Sequence, residues 1–292
     1  MSTLPRSALP IPQRFALELE TLARIIFGFL LVRHGMEQWF GYPAAFATAD
    51  PLSLPGVIKF LSLPGGLLLM LGLYTRPVCL VLAPLFLIHW LTGPLLAWFT
   101  DGARLFGARG PSDPPLLNAF FFLYLATARD ERWAPRTLAA LRIVAAFLFL
   151  HHGLEKVFGG RVPLDPMSLR GLAAFLENVG GPMLGLGLLT RPVAFLLSGE
   201  MAVAYFMSHA PDGFWGSFVE PNQEAAILNC FLFLFFWGAG PGAWSLDGLL
   251  ARRGATQLLT SEGTSDGRVA NRATRHLGDP AAAGRGVGAK QH

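Results

Sequence analysis

The 292-residue chain is short of charge: 14% of it is Asp, Glu, Lys or Arg, against 52% hydrophobic residues. Soluble domains carry about a quarter charged residues, so this chain has too few polar side chains to cover itself in water. The scarcity is sharpest ahead of Gly254, because 254–292 is polar. Cysteine is scarcer still. Cys79 and Cys230 stand singly inside apolar runs and form no C-x-x-C, which argues against a thiol relay or zinc knuckle and for two small hydrophobes. No haem-type motif, cysteine cluster or nucleotide fingerprint occurs. The net charge of +4 does not point to nucleic acid, because the arginines sit in connections between apolar runs rather than in one basic stripe.

What the chain does have is apolar runs long enough to cross a bilayer. Eight are expected, over 21–40, 57–74, 78–98, 116–128, 137–158, 169–189, 193–208 and 224–237. Residues 1–20 read as a cytoplasmic lead-in, polar and proline-containing, with no cleaved signal peptide expected. Residues 129–136 read as a charged linker, 246–253 as a short interfacial helix, and 254–292 as a disordered tail.

The eight runs fall into two copies. A shift of 118 positions lays His34, Gly35, Glu37, Phe40 and Gly41 on His152, Gly153, Glu155, Phe158 and Gly159, and Arg24 on Arg142. Leu71-Gly72-Leu73-Tyr74-Thr75-Arg76-Pro77-Val78 matches Leu186-Gly187-Leu188-Leu189-Thr190-Arg191-Pro192-Val193. Asp113 to Asn118 matches Glu224 to Asn229, and Trp133 falls on Trp244. Repeats at a fixed period mark duplicated units. The expected units are 21–128 and 137–253. Four spans is an even number, so both copies lie the same way up, a parallel repeat. The expected fold is all-α: eight transmembrane helices as two tandem parallel four-helix bundles. Arginine and lysine crowd the segments on the side of the termini, which places both termini in the cytoplasm of an inner-membrane protein.

With these residues in view, the chain resembles the DoxX family of bacterial and archaeal membrane proteins. The resemblance rests on the R-I…H-G-x-E-x-x-F-G run beginning at Arg142, on L-G-L-L-T-R from Leu186, and on Gly240-Pro241-Gly242-Ala243-Trp244-Ser245-Leu246-Asp247. It covers 140–247 well and 22–133 less well, where the Gly-Pro-Gly ending is absent. A family member is normally one four-helix unit, so this chain looks like two fused. The resemblance implies a membrane partner in thiosulfate-to-quinone electron transfer, or a component of thiol and oxidative-stress complexes. It carries no established catalytic residue.

An ionisable group at mid-bilayer costs roughly 2.5–3.5 kcal/mol on insertion scales, so each is a functional hypothesis by default. Arg24 and Arg142 sit near the inner boundary, where snorkelling and anchoring explain them. Arg76 and Arg191 lie in inner turns, where helix-end satisfaction suffices. His34/Glu37 and His152/Glu155 share helical faces at i, i+3. Three readings stay open for them: a wet helix end, a proton-handling or quinone-headgroup site, or metal ligands. Metal is the poorest of the three, because the neighbouring spans offer too few carboxylates. Asn118 and Asn229 suit interhelical hydrogen bonds.

The second unit adds His151, Glu177, Glu200 and His209. Glu200 falls near mid-membrane and must be protonated, paired or facing a cavity. We therefore expect the functional cavity in the second unit. His152, Glu155 and Glu200 would handle protons there, and His151, Glu177, His209, His34 and Glu37 would contribute to substrate or quinone binding. The expected function is the membrane subunit of a redox assembly passing electrons from a sulfur or thiol donor to quinone. The electron carrier would have to come from a soluble or membrane partner protein. A transporter or small-molecule binding protein, and a scaffold for soluble oxidoreductases, are the alternatives.

Overall fold

Both copies use the same residues to start and stop their second helix. Ser53 and Ser168 accept the amides of Gly56 and Gly171 at 3.2 and 3.1 Å, capping the N-termini. At the far end Gly72 (φ 72°) and Gly187 (φ 67°) take the left-handed conformation that a side chain resists. Paired bonds then return to the helix, Gly72 N to Leu69 O and Leu73 N to Leu68 O, with Gly187 and Leu188 doing the same.

The computed structural model describes residues 11–41, 49–100, 113–159, 164–208 and 221–253. In order come α1 (Ile11–Arg14), α2 (Ala16–Phe40), α3 (Leu54–Leu71), α4 (Thr75–Thr92) and α5 (Pro94–Thr100). They are followed by α6 (Asp113–Thr127), α7 (Ala134–Phe158), α8 (Leu169–Leu186), α9 (Thr190–Ser208) and α10 (Pro221–Ala239). Residues 246–253 are helical as well, and no strand occurs among the described residues. The structure is all-helical, as expected. Among the described residues, three helices are long and apolar enough to cross a membrane: Leu54–Leu71, Thr75–Ala97 and Ala134–Phe158. Pro114–Thr127 and Glu224–Ala239 are apolar but shorter. The expected N-terminal lead-in up to residue 10, and the tail at 254–292, lie outside the described residues.

The helices pair as antiparallel hairpins, α2 with α3, α4 with α6, α7 with α8, and α9 with α10. The pairs are then joined across the copies. The last helix of the first repeat, α6, packs on α7, and the last helix of the second, α10, packs on α2. Tyr124 and Phe121 of α6 meet Phe235 of α10 at ring distances of 5.2 and 6.1 Å. The described residues up to Asp247 thus form one compact unit with a single hydrophobic core drawn from both repeats. The two four-helix units exist in chain order but are not packed apart.

One end of the helices is held by arginine. Arg142, on α7, is wholly buried. Its Nη1 donates to Leu184 O at 2.5 Å and Gly185 O at 2.6 Å, its Nε to Pro241 O at 2.9 Å, and its Nη2 to Trp244 O at 3.0 Å. These carbonyls are the orphans at the end of α8 and in the turn after α10. Arg191 Nη1 donates to Trp237 O and Gly238 O at 2.6 and 2.7 Å. The Asp247 carboxylate closes the lock by accepting Leu189 N and Thr190 N, both at 2.8 Å. Arg142 therefore does not snorkel as expected; it fastens three chain segments. Arg191 satisfies a helix end, as the sequence suggests. We call this the arginine end and the opposite one the histidine end.

Candidate functional site

The histidine end holds two polar clusters. The first is built on α2, whose i, i+3 and i, i+4 spacing stacks Arg33, His34 and Glu37 on one face. Arg33 Nη2 donates to Glu37 Oε1 at 3.2 Å, and Lys59 Nζ of α3 donates to Glu37 Oε2 at 3.3 Å. From the other repeat, Glu224 of α10 brings Oε2 to 2.8 Å from His34 Nε2 and 3.6 Å from Arg33 Nη1. A carboxylate partner puts the imidazole proton on Nε2. Glu37 is 2% exposed and Glu224 3%. The wet-helix-end reading of His34/Glu37 is thereby corrected: carboxylates at this depth persist because cations face them. A cavity of about 160 Å³ adjoins the cluster, with His34, Lys59, His89, Asn118 and Glu224 in its wall.

The second cluster belongs to α7, α8 and α9. These helices enclose a cavity of about 740 Å³ reached by His152, Glu155, Lys156, Arg170 and Glu200. Leu172, Leu176, Val203 and Met207 are among its apolar lining. Lys156 pairs with Glu177, which is 1% exposed. Glu200 is the unusual member. Both its carboxylate oxygens are buried, and among the described residues neither has a hydrogen-bond partner. A carboxyl in that state either keeps its proton or awaits a ligand, because an unpaired buried charge is costly.

Three expected proton-handling residues, His152, Glu155 and Glu200, thus line one cavity in the second repeat. Glu177 reaches it through Lys156. His151 is half-buried beside His152, at a ring distance of 6.5 Å, and is absent from the cavity wall. His34 and Glu37 belong to the other cluster. His209 lies outside the described residues. Sequence reasoning missed Lys156, Arg170, Arg33, Lys59 and Glu224 as cluster members. In the sequence Glu224 stands out only as the residue matching Asp113 in the other copy; its ion pair comes from contact between α10 and α2, which no local spacing announces. Asn229 does not reach another helix: its Nδ2 donates to Ala225 O at 3.0 Å within α10. Among the described residues no three of His, Cys, Asp and Glu are placed to hold a metal ion.

Similarity to known proteins tracks the repeat. The family model described as DoxX matches residues 19–95 and again 137–210. An uncharacterized protein of Haemophilus influenzae is 43% identical over 126 residues, covering 40% of this chain and 92% of its own length. An uncharacterized membrane protein of Mycobacterium tuberculosis is 26% identical over 167 residues, covering 50% of this chain and 93% of itself. No solved structure matches the chain. The first relative is therefore about one repeat long.

Proposed function

The chain belongs to the DoxX family, and from that membership and its cavity we propose an inner-membrane protein that binds a quinone and supplies protons for its reduction. In this reading eight helices span the bilayer, with both termini cytoplasmic. The observation that carries it is Glu200, whose two buried oxygens lack a partner among the described residues, beside an apolar-walled space of about 740 Å³. Such a space takes an amphiphile with an apolar body, and a lone carboxyl offers its head one hydrogen bond.

The chemistry balances if the electrons come from outside. Quinone becomes quinol by taking two electrons and two protons. A sulfur or thiol donor, oxidised on a partner protein to a disulfide-type product, releases the two electrons. Glu200 and His152 each give a proton to a quinone oxygen and recover it from water at the histidine end. Arg170 and Lys156 hold the negative charge that develops between the electron and proton steps.

Solvent extraction of the purified protein tests this directly. Quinone should accompany the wild type and be lost from Leu172→Trp, which sets an indole at the cavity wall. A wild type that neither carries quinone nor takes it up after reconstitution ends the reading. The unpartnered Glu200 also suits a lipophilic organic cation, the transporter reading. That reading predicts proton-coupled flux into vesicles that Glu200→Gln abolishes.

A further inference from the structure

The two repeats differ most at the arginine end. In the second repeat, Leu189 N and Thr190 N at the start of α9 hold the Asp247 carboxylate, one oxygen each. The first repeat has the same backbone at the start of α4. Tyr74 (φ 49°) matches Leu189 (φ 48°), and Gly72 (φ 72°) matches Gly187 (φ 67°). Yet no side chain caps α4, and among the described residues Tyr74 N and Thr75 N have no partner.

The reason lies in the segment that succeeds the last helix of each repeat. After α10 the chain turns back through Gly240 (φ 86°) and Gly242 (φ 68°), which brings Trp244 and Asp247 over Arg142 and Arg191. After α6 residues 128–133 lead straight into α7, and nothing returns. Among the described residues Arg24 keeps only the bond to Leu69 O, the counterpart of Arg142 to Leu184 O. Arg76, the counterpart of Arg191, has no hydrogen bond or ion pair among the described residues, and neither has Arg129. Where the second repeat is plugged, the first has a cavity of about 340 Å³, bounded by Arg24, Arg76, Arg129, Gly72 and Thr75. Exposure differs accordingly: Thr190 is 0% exposed, while Thr75 is half-buried and Arg76 exposed.

We propose that the first repeat binds an oxyanion, a carboxylate or phosphate group, in this cavity, in the place that Asp247 takes in the second. One oxygen accepts Tyr74 N and another Thr75 N, as the carboxylate oxygens of Asp247 do at the equivalent amides. Arg24, Arg76 and Arg129 surround the group with guanidinium donors, which suit planar or tetrahedral oxyanions. Two acids share the wall, and both are engaged. Glu20 Oε2 accepts the Tyr124 hydroxyl at 2.8 Å, and Asp130 Oδ1 accepts Arg132 N and Trp133 N at 2.9 and 3.0 Å. Three guanidinium groups against two carboxylates leave the cavity cationic. A helix N-terminus alone is a weak anion site; here the same two amides carry a carboxylate in the sister repeat. The site stands apart from the quinone reading, since it lies at the opposite end of the helices.

The occupant is a free anion or the phosphate of an anionic lipid, and one experiment separates them. Full-length protein in detergent is melted with succinate, inorganic phosphate or chloride at equal ionic strength. It is then melted in nanodiscs of phosphatidylcholine with or without phosphatidylglycerol. We expect the wild type to gain several degrees from the oxyanions or from the anionic lipid, and Arg76→Gln/Arg129→Gln to need at least tenfold more for the same gain. Response to the soluble anions names a free ligand; response to the anionic lipid alone names the headgroup. Both arginines are exposed and unpaired among the described residues, so the variant should fold, and each single variant is measured beside it. Equal responses from wild type and variants, or none from the wild type, overturn the proposal.

Discussion

His34 of α2 and Glu224 of α10 stand 2.8 Å apart, and 190 positions apart in the chain, at the joint between the two repeats. The pair turns a tandem duplication into one body, because the partner of the first repeat's histidine is the second repeat's acid. Arg33 and Lys59 complete the charge balance around Glu37 and Glu224.

Removing both His34 and Glu224 should cost less than the sum of removing each alone. Glu224→Ala takes from His34 its 2.8 Å carboxylate, while Arg33 keeps Glu37 at 3.2 Å, and losing one side of a buried pair costs about 3–5 kcal/mol. His34→Ala should overlap with it, giving a coupling of roughly 0.5–3 kcal/mol in a double-mutant cycle of unfolding in detergent. Additive losses would mean the contact carries no energy.

The same logic applies to Lys156 and Glu177. Lys156→Met strands a carboxylate that is 1% exposed. Lys156→Met/Glu177→Met should recover most of the lost stability, since well-packed apolar residues often replace a buried pair without loss. Thermal melts of the single and double variants decide it.

Arg142→Met should be the most destabilising single change at the arginine end. It leaves the carbonyls of Leu184, Gly185, Pro241 and Trp244 without the guanidinium that now satisfies them. Each unsatisfied buried group costs about 1–3 kcal/mol. Arg142→Lys should restore little of this, because a point ammonium cannot reach all four. Yield and melting temperature of the two variants provide the check.

Because α6 packs on α7 and α10 on α2, the halves should find each other when cut apart. Residues 1–129 and 130–292, co-expressed as separate chains with one tagged, should co-purify. The cut leaves Asp130 with the amides it caps at the start of α7. Glu224→Ala should weaken the recovery. Two halves that purify alone would show that the joint depends on the linker.

Narrowing the cavity should separate binding from folding. Leu172→Trp places an indole in the 740 Å³ space and should leave the melting temperature within about 1–2 degrees, because the space is already there to receive it. Loss of bound quinone with an unchanged melt would assign the cavity to ligand rather than to packing.

Much of the fold was legible because it is local. Period and composition mark the helices, and the repeated Leu-Gly-Leu-x-Thr-Arg-Pro marks the same Gly-capped turn twice, since only glycine takes its φ without strain. His152, Glu155 and Glu200 were legible as a site because ionisable groups in apolar helices are costly enough to need a reason. Lys156 and Arg170 were not, because each reads as an ordinary cation near a helix end.

By itself the sequence determined that this is a duplicated, helical membrane protein with its ionisable residues gathered at helix ends and at Glu200. Those properties depend on residue type and short spacing, which any neighbourhood preserves. Only the tertiary structure decided who meets whom. It put Glu224 on His34 rather than on a solvated helix start, buried Arg142 among carbonyls, and left Tyr74 N and Thr75 N open where Leu189 N and Thr190 N are filled. Those outcomes depend on the direction of the chain after α6 and α10, and a contact across 190 positions has no local signature.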